Sequence, residues 1–502
     1  LIACINFINL STARNAASIK EAGLKKIIGA SRKALILQYL ADAILMAVLA
    51  MIIGVGITWL LLPQLSFITG SKIEFPSGGG YLLAAFAIAL ITGMIAGIYP
   101  AIYLSSFKPA AVLSGSIKRS ATESGIRKGL MVFQFALSVF FIIAVSVVWQ
   151  QLTLIQTRDL GYRREQLIYF DMAELPVPKD TGDLKSASEN FLLQLKELPG
   201  VIDAASFGHN ITNRDGGTTD LQWPGKDPEE KITFTDIAVG YHFIETTGIR
   251  MQEGRSYDES YGTDQGGIVF NQAAIKAMNM KDPIGKKVQL WGRERTIIGV
   301  VKDFNFQSLH EKLKPCFLDL VTGGRASKIM VRIDKQNTAG TIAAIDALFR
   351  KEQNGLAFDY TFLNDDYEAM YATENSMMAL AKYFTFLAIL ISCLGLLGYT
   401  AFMARQKQKE IGIRKVAGAS VLQILTLMAM EFLRPVLLGL LIAFPLGYWL
   451  MNNWLAGFAY RVSIGPVVFI MAGLAILLIM LASIGGQLMR AAMVSPAKSL
   501  KQ

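Results

Sequence analysis

The chain has 502 residues, of which 52% are hydrophobic and 18% are charged, with a mean hydropathy of +0.39. This balance excludes a single soluble globule and indicates several membrane spans together with a water-soluble domain. The three cysteines are too few for a disulfide framework.

Six stretches are long and apolar enough to cross a bilayer, which takes about 20 apolar residues each. In chain order they are Leu35–Leu62, Tyr81–Ser105, Leu130–Gln150, Tyr383–Ala404, Val421–Met451 and Pro466–Met489. Residues Leu1–Leu10 look like the end of a further span. Because the first residue is Leu and the chain opens inside this apolar run, we expect the sequence to be truncated at its N-terminus.

Positive charge is concentrated in short segments between these spans. Four segments hold 19 of the 49 Lys and Arg residues but only three acidic residues: Arg14–Lys33, Ser106–Gly129, Arg405–Val416 and Arg490–Gln502. By the positive-inside rule they are cytoplasmic, which places the long segment Gln151–Lys382 outside. The net charge of +10 is therefore explained by topology, and nucleic-acid binding has no other support.

The long outer segment is predicted to be a folded α+β domain. Alternating β-branched or aromatic residues predict strands at Gln166–Asp171, Lys231–Ala238, Arg295–Val301, Lys328–Ile333 and Ala357–Phe362. Helices are predicted at Lys185–Leu198 and at Thr338–Glu352, with Asn337 as the N-cap of the second. The helical spacing of Asp366–Lys382 predicts a stalk that continues into the next span.

One charged element occurs twice, each time between two apolar segments. The copies are Lys20–Ser31 (KEAGLKKIIGAS) and Lys409–Ser420 (KEIGIRKVAGAS), identical at seven of twelve positions and 389 residues apart. Glu21 and Lys25, like Glu410 and Arg414, are spaced i,i+4 for a helical ion pair. A loop that merely fixes topology needs Lys and Arg but no such arrangement, so the match indicates an internal duplication with two docking points.

The residues predicted to form these docking points are the charged residues and glycines of both copies. They are Lys20, Glu21, Gly23, Lys25, Lys26, Gly29, Lys409, Glu410, Gly412, Arg414, Lys415 and Gly418. Gly29 and Gly418 are placed to end a short helix.

Two acidic residues, Asp42 and Glu431, occupy matching positions eleven residues after the two copies. A carboxylate in a span is a functional candidate by default, although these two are near enough to the helix start to be shallow. Arg434 is spaced to pair with Glu431, and we favour a structural role over a proton or substrate path. Gly93 and Gly97 suit close helix packing. The three histidines lack metal-ligand spacing.

Lys409–Ser420 resembles the KEIGIRKxxGA-like signature of the MacB/FtsX-type permeases of ABC transporters, in the loop similar to their coupling helix. Pro109–Leu113 (PAAVL) and Pro496–Leu500 (PAKSL) are similar to the tails of that family, and Gly299–Ser308 (GVVKDFNFQS) resembles its periplasmic core domain. The resemblance implies a polytopic α-helical membrane protein with a mixed α+β extracytoplasmic domain, in the bacterial inner membrane.

The family pattern divides the chain into four regions. Residues 1–126 are the remainder of a first FtsX-like half, 127–150 the outgoing span of the second half, 151–382 a periplasmic core domain, and 383–502 the second transmembrane domain. The 389-residue offset implies a further span and outer domain before Leu1.

The sequence has no G-x-x-x-x-G-K-[ST] phosphate-binding loop, so we expect no ATPase activity and no cofactor of its own. The resemblance implies a permease whose separate ATPase dimer binds ATP and drives movement of the periplasmic domains. The cargo would be lipophilic, a peptide or a lipoprotein, and export would add a periplasmic or outer-membrane partner. One alternative is a non-transporting regulator that switches an extracytoplasmic enzyme or sensor, and a weaker one is a sensor receptor.

Overall fold

The computed structural model describes residues 2–7, 24–69, 72–74, 79–106, 121–172, 184–208, 217–321, 328–352 and 355–493. The helices are α1 (Arg32–Thr69), α2 (Gly80–Ser106), α3 (Ala121–Thr157), α4 (Leu184–Glu197), α5 (Phe243–Thr247), α6 (Gln272–Ala277), α7 (Thr338–Glu352), α8 (Leu363–Ala369), α9 (Ala372–Gln406), α10 (Gln408–Val416), α11 (Val421–Leu455) and α12 (Pro466–Met493).

All six predicted spans are confirmed as helices. They lie within α1, α2, α3, α9, α11 and α12, which are long and apolar enough to cross a membrane. Several of these helices extend beyond the predicted apolar stretch, and α3 continues seven residues past Gln150. In a bilayer each span satisfies its backbone polar groups internally, which is why these segments form unbroken helices.

Helices α1 and α2 pack at close range, as the small residues of α2 predicted. A Cβ atom on Gly93 would lie 2.8 Å from the Cα atom of Ile44, and one on Gly97 would lie 2.9 Å from the Cβ atom of Ala43. Glycine at both positions therefore lets the two backbones approach, which strengthens van der Waals packing where lipid offers no hydrophobic driving force.

A second helical group forms one apolar core, mostly from α3, α11 and α12, to which α9 adds Leu396 and α10 adds Ile411. It includes Val139 and Ile143 of α3, Val436 of α11 and Ile476 of α12, all buried. Helix α9 joins α3 through a hydrogen bond between the hydroxyls of Ser138 and Ser392, which are 3.0 Å apart and both buried. This interhelical bond gives both hydroxyls a partner inside an apolar environment.

The outer segment forms one mixed sheet. Its strands are β1 (Leu167–Asp171), β2 (Val201–Phe207), β3 (Leu221–Gln222), β4 (Thr235–Val239), β5 (Met251–Gly254), β6 (Gly267–Asn271), β7 (Lys287–Leu290), β8 (Arg293–Val301), β9 (Cys316–Leu320), β10 (Lys328–Ile333) and β11 (Tyr360–Phe362). The strand order is β11-β1-β10-β2-β4-β9-β6-β8-β7-β3, and β5 pairs with β8. The pairs β4–β9 and β6–β8 are parallel and the other pairs are antiparallel, so the predicted α+β class is confirmed.

Two apolar cores cover different parts of this sheet. One packs α4 and α7 on β1, β2 and β10 around Phe170 and Phe191. The other packs α6 on β6, β8 and β9 around Phe270 and Phe317. The register between β2 and β4 consists of the single pair Phe207 and Val239, so the described sheet is narrowest where the two cores meet.

The predicted secondary structure of this domain is mostly confirmed. Helices α4 and α7 match their predictions, and the Asn337 side chain accepts a hydrogen bond from the backbone N–H of Gly340, as an N-cap does. Strand β4 begins at Thr235 rather than Lys231, and β11 begins at Tyr360 rather than Ala357. Both starts were predicted too early because the local alternation continues beyond the point where a partner strand is available.

The predicted stalk is helical in two pieces rather than one. Helix α8 ends at Ala369, a turn follows at residues 370–371, and α9 begins at Ala372. Tyr371 in this turn is buried, and its hydroxyl accepts a 2.7 Å hydrogen bond from the backbone N–H of Leu309. This tertiary contact holds the turn at a position that the helical spacing alone did not reveal.

The chain divides into two compact units. One consists of Leu1–Leu152, Glu374–Leu455 and Val462–Gln502, and the other of Thr153–Thr373 and Ala456–Arg461. The second unit therefore includes six residues of the loop between α11 and α12, which the sequence did not predict.

We predict that Gly93→Ala lowers the stability of the helical unit, because the added methyl group would meet the Ile44 backbone. Overpacking of this kind costs about 1–3 kcal/mol. Gly56→Ala is the matched control, since Gly56 has no neighbour within 4 Å and alanine is the better helix former. Thermal unfolding in detergent should give a lower Tm for Gly93→Ala than for Gly56→Ala; equal or higher Tm would contradict the close packing.

The predicted orientation is testable by cysteine labelling in a cysteine-free background. Thr263 is exposed in the outer unit and Ala417 is exposed at the end of α10. An impermeant thiol reagent added to intact cells with a permeabilised outer membrane should label Thr263→Cys and not Ala417→Cys. Labelling of Ala417→Cys under these conditions would reverse the orientation.

Candidate docking helices

The second copy of the repeat forms the short helix α10. Its Glu410 and Arg414 make the predicted i,i+4 ion pair, with the carboxylate Oε1 accepting hydrogen bonds of 2.8 Å from Nη2 and 3.1 Å from Nε. Both side chains are about half exposed, so the pair contributes little to stability and stays accessible. Ile411 is buried in the core of the helical unit and anchors the helix on its opposite side.

Gly418 ends α10 with a left-handed backbone at φ +90°. Its N–H donates to the carbonyl of Lys415 at 3.0 Å, and the N–H of Ala419 donates to the carbonyl of Arg414 at 2.9 Å. This is the Schellman arrangement, which glycine adopts without steric cost. Ser420 follows and caps α11, because its hydroxyl accepts from the N–H of Gln423 at 3.3 Å.

The first copy ends in the same way. Residues 24–27 are helical, and Gly29 has φ +104°. The N–H of Gly29 donates to the carbonyl of Lys26 at 3.1 Å, and that of Ala30 donates to the carbonyl of Lys25 at 2.9 Å. The Ser31 hydroxyl then caps α1 by accepting from the N–H of Ala34 at 3.2 Å. The identical Gly-Ala-Ser residues thus have identical backbone roles in both copies.

Three predicted docking residues, Lys20, Glu21 and Gly23, lie outside the described residues, so the ion pair of Glu21 with Lys25 stays a prediction. The described lysines of the first copy also make contacts outside it. Lys25 Nζ donates to Gln38 Oε1 at 3.3 Å, and Lys26 Nζ donates to the carbonyl of Ser105 at 2.5 Å. Lys26 therefore connects this copy to the end of α2.

Each copy also exposes an apolar edge. Ile413 and Val416 are 61% and 68% exposed in α10, and the equivalent Leu24 and Ile27 are 58% and 51% exposed in the first copy. The i,i+3 spacing of Leu24 with Ile27 and of Ile413 with Val416, identical in both copies, is the sequence signal for this edge. An apolar edge beside charged side chains is suited to a protein partner.

The acidic position in α11 has a different partner from the one predicted. Glu431 forms an ion pair with Lys407, the residue between α9 and α10, rather than with Arg434. Helical spacing suggested Arg434, but the tertiary fold brings the end of α9 closer. Asp42, the equivalent in α1, is exposed, and the position equivalent to Lys407 is Ser18, which lies outside the described residues. The two acidic positions are therefore chemically unlike.

The loop between α11 and α12 makes specific contacts within the outer unit. The His310 ring stacks on Phe458 with centroids 4.0 Å apart, and His310 Nδ1 is 3.0 Å from the carbonyl oxygen of Gly457. The Arg158 guanidinium lies 3.9 Å above the Tyr460 ring. Ring stacking and cation–π contacts therefore hold residues 456–461 in this unit. Within the described residues, no group of three potential ligands could hold a metal ion.

Comparison with known families matches both parts of the chain. The FtsX-like permease C-terminal family matches residues 1–109 and again residues 383–496, and the MacB-like periplasmic core domain matches residues 129–348. The two matches to one family agree with the duplication indicated by the repeat.

Individual relatives are distant and cover part of the chain. The macrolide export ATP-binding/permease protein MacB of Aggregatibacter actinomycetemcomitans is 25% identical over 40% of this chain and 33% of its own length. The uncharacterized ABC transporter permease YknZ of Bacillus subtilis is 21% identical over 48% of this chain and 65% of its own length. The chain thus matches about a third of the MacB relative.

Among solved structures, the periplasmic region of MacB from Actinobacillus actinomycetemcomitans aligns with 43% of this chain and 97% of its own, at 16% identity and a TM-score of 0.31. The extracellular domain of the ABC-type transporter YknZ aligns with 39% and 97%, at 13% identity and a TM-score of 0.28.

Among the described residues, six helices able to span a membrane and a separate mixed-sheet domain define a multi-pass membrane protein. The matches to an FtsX-like permease and to a MacB-like periplasmic core domain between them take in residues 1–109, 129–348 and 383–496. The chain belongs to the MacB/FtsX-type permeases of ABC transporters, and it is an inner-membrane protein with a periplasmic domain.

Proposed function

We propose that this permease couples ATP hydrolysis by a separate ATPase dimer to movement of its periplasmic domain. The observation that carries the proposal is the repeated docking helix. The two copies share their helix-ending glycine, their following N-cap serine and their exposed apolar edge, although only seven of twelve residues are identical. Two equivalent docking points suit the two subunits of an ATPase dimer.

The chemistry of α10 supports a protein partner on this face. Glu410 and Arg414 are accessible and already paired, so a partner can bind them without first ordering two long side chains. Ile413 and Val416 add apolar area beside them. The sequence contains no phosphate-binding loop, which favours a nucleotide bound by a separate ATPase. The MacB relatives are named as ATP-binding/permease proteins.

A continuous helical route supports mechanical transmission. Helix α9 runs without a break from Ala372 to Gln406, about 50 Å at 1.5 Å per residue, and only Lys407 separates it from α10. Lys407 also forms the ion pair with Glu431 of α11. Displacement of α10 by an ATPase would therefore act directly on the end of α9 and on the neighbouring α11.

The periplasmic unit supplies the other end of this route. It includes the first residues of α9, the last residues of α3 and the loop between α11 and α12. The described core among α3, α11 and α12 is built from apolar side chains, which favours movement of cargo outside this bundle over a polar conduit through it. We propose that cargo, a lipophilic molecule, peptide or lipoprotein, is moved by the periplasmic domain for export or extraction.

The docking role predicts that Glu410→Ala/Arg414→Ala weakens association with the cognate ATPase about tenfold, because charged contacts at an interface are lost while the fold is kept. The matched control is Asp346→Ala/Arg350→Ala, an i,i+4 acid–arginine pair of the periplasmic α7. Co-purification and stimulated ATP hydrolysis are the measurements. Wild-type coupling in the α10 variant, or equal loss in the control, would refute docking at α10.

The mechanical role predicts that Ala379→Pro abolishes most transport output while ATPase binding survives. Proline in a helix interior costs about 3 kcal/mol and removes a backbone donor, which would interrupt α9 between its periplasmic start and α10. Ala379→Ser is the control because it keeps the helix. With equal membrane expression, full output from Ala379→Pro would show that α9 transmits no force and that the periplasmic domain acts as a passive binder.

A further inference from the structure

The periplasmic unit contains a cavity of about 630 Å³ that neither the fold nor the proposed coupling explains. It lies where α3 ends, and Gln156 and Thr157 at that end are part of its wall. Its surface is mostly polar. Cavities of this size hold small-molecule ligands, but a polar lining suits a charged ligand better than an apolar one.

Positive charge dominates the wall. Five cationic side chains line the cavity, against three acidic ones. The cations are Arg158, Arg163, Arg164, Arg332 and Lys335, and the acids are Asp159, Glu165 and Asp334. Two of the acids are engaged by backbone donors: Asp159 accepts from the N–H of Gly161 at 2.9 Å, and Asp334 accepts from that of Gln336 at 3.1 Å.

Arg332 is the fixed centre of this arrangement. Its guanidinium donates to three backbone carbonyls, those of Thr246 at 2.7 Å, Arg163 at 2.9 Å and Glu165 at 3.2 Å. Burial, together with the charge of Arg163, lowers the pKa of Arg332, although Asp203 acts in the opposite direction. An arginine stays protonated in proteins, so this is a half-buried positive charge without a neutralising ion pair among the described residues.

Two further cations also lack ion pairs. No carboxylate of a described residue lies within 4.0 Å of the charged groups of Arg163 or Lys335, and both side chains are exposed. Arg158 and Arg164, by contrast, are held by aromatic rings, those of Tyr460 and Tyr367. Ring contacts orient a guanidinium without cancelling its charge. The wall therefore combines two arginines oriented by aromatic rings with two exposed cations.

We propose that this cavity binds a phosphate-bearing anion. A single carboxylate would neutralise one cation, whereas a phosphate group presents several acceptor oxygens that match the guanidinium forks and the lysine together. The occupant has room beyond its phosphate, so the group belongs to a larger molecule or to a polyphosphate. Neither the docking helices nor the proposed transmission through α9 requires this site. The proposal of an anion site is therefore tested independently of them.

The anion could have either of two sources with the same chemistry. A phosphate on an extracted lipid-like molecule and a soluble phosphate compound present the same acceptor oxygens to the guanidinium groups. Comparison of glycerol 1-phosphate with the inorganic anions distinguishes these two sources.

The experiment uses the full chain in detergent at low ionic strength, titrated calorimetrically with inorganic pyrophosphate, inorganic phosphate, glycerol 1-phosphate and acetate. Arg163→Gln/Lys335→Gln removes the two unpaired cations and leaves Arg332 in place. Arg293→Gln/Lys351→Gln is the matched control, because both residues are exposed elsewhere on the same unit and the charge change is equal. Thermal unfolding checks that both double variants fold.

We expect saturable binding of a phosphate compound by the wild type, a loss of about tenfold in the cavity variant and a change below about twofold in the control. Tighter binding of glycerol 1-phosphate than of the inorganic anions would identify a lipid-derived source, and the reverse order a soluble one. Absence of saturable binding, equal loss in both variants, or acetate binding as tightly as phosphate would overturn the proposal. None of these readouts depends on ATPase docking.

Discussion

The helical part of this permease depends on the tight turns that end one helix and begin the next. At each turn the free backbone N–H and C=O groups of the helix ends must find hydrogen-bond partners. Gly418 takes the left-handed conformation that closes α10, and Ser420 then supplies an acceptor for the first turn of α11. Gly29 and Ser31 do the same before α1. Because few residues can take these roles, the Gly-Ala-Ser sequence is identical in both copies while neighbouring positions differ.

These compact turns join α10 closely to the spans on either side of it. A helix closed at one end and anchored by buried Ile411 can move only together with the spans that it connects. Lys407 strengthens this connection by linking the junction of α9 and α10 to Glu431. Within the periplasmic unit, His310 stacks on Phe458 and the Arg158 guanidinium lies over the Tyr460 ring, so residues 456–461 are held in that unit by side-chain contacts.

The sequence by itself determined the membrane part almost completely. Spans are recognised by length and apolarity because the bilayer imposes both, and a charge bias of 19 cations in four short segments orients them. Helix α10 was equally predictable, since the i,i+4 spacing of Glu410 and Arg414 and the following Gly418 are local features. In the periplasmic domain, β10 and α7 were found because their residues alternate or repeat with a clear period.

Only the tertiary structure decided the features that depend on residues far apart in the chain. Strand β9 is buried at all five positions and shows no alternation, so its sequence did not mark it as a strand. Long-range contacts also set the turn at Tyr371 between α8 and α9. They pair Glu431 with Lys407 rather than with Arg434, and they place residues 456–461 in the periplasmic unit. The cationic cavity combines residues 156–160 and 162–166 with Ile202 and residues 332–335. Local periodicity carries no information about such contacts, because they are set by how the sheet and the helix ends pack.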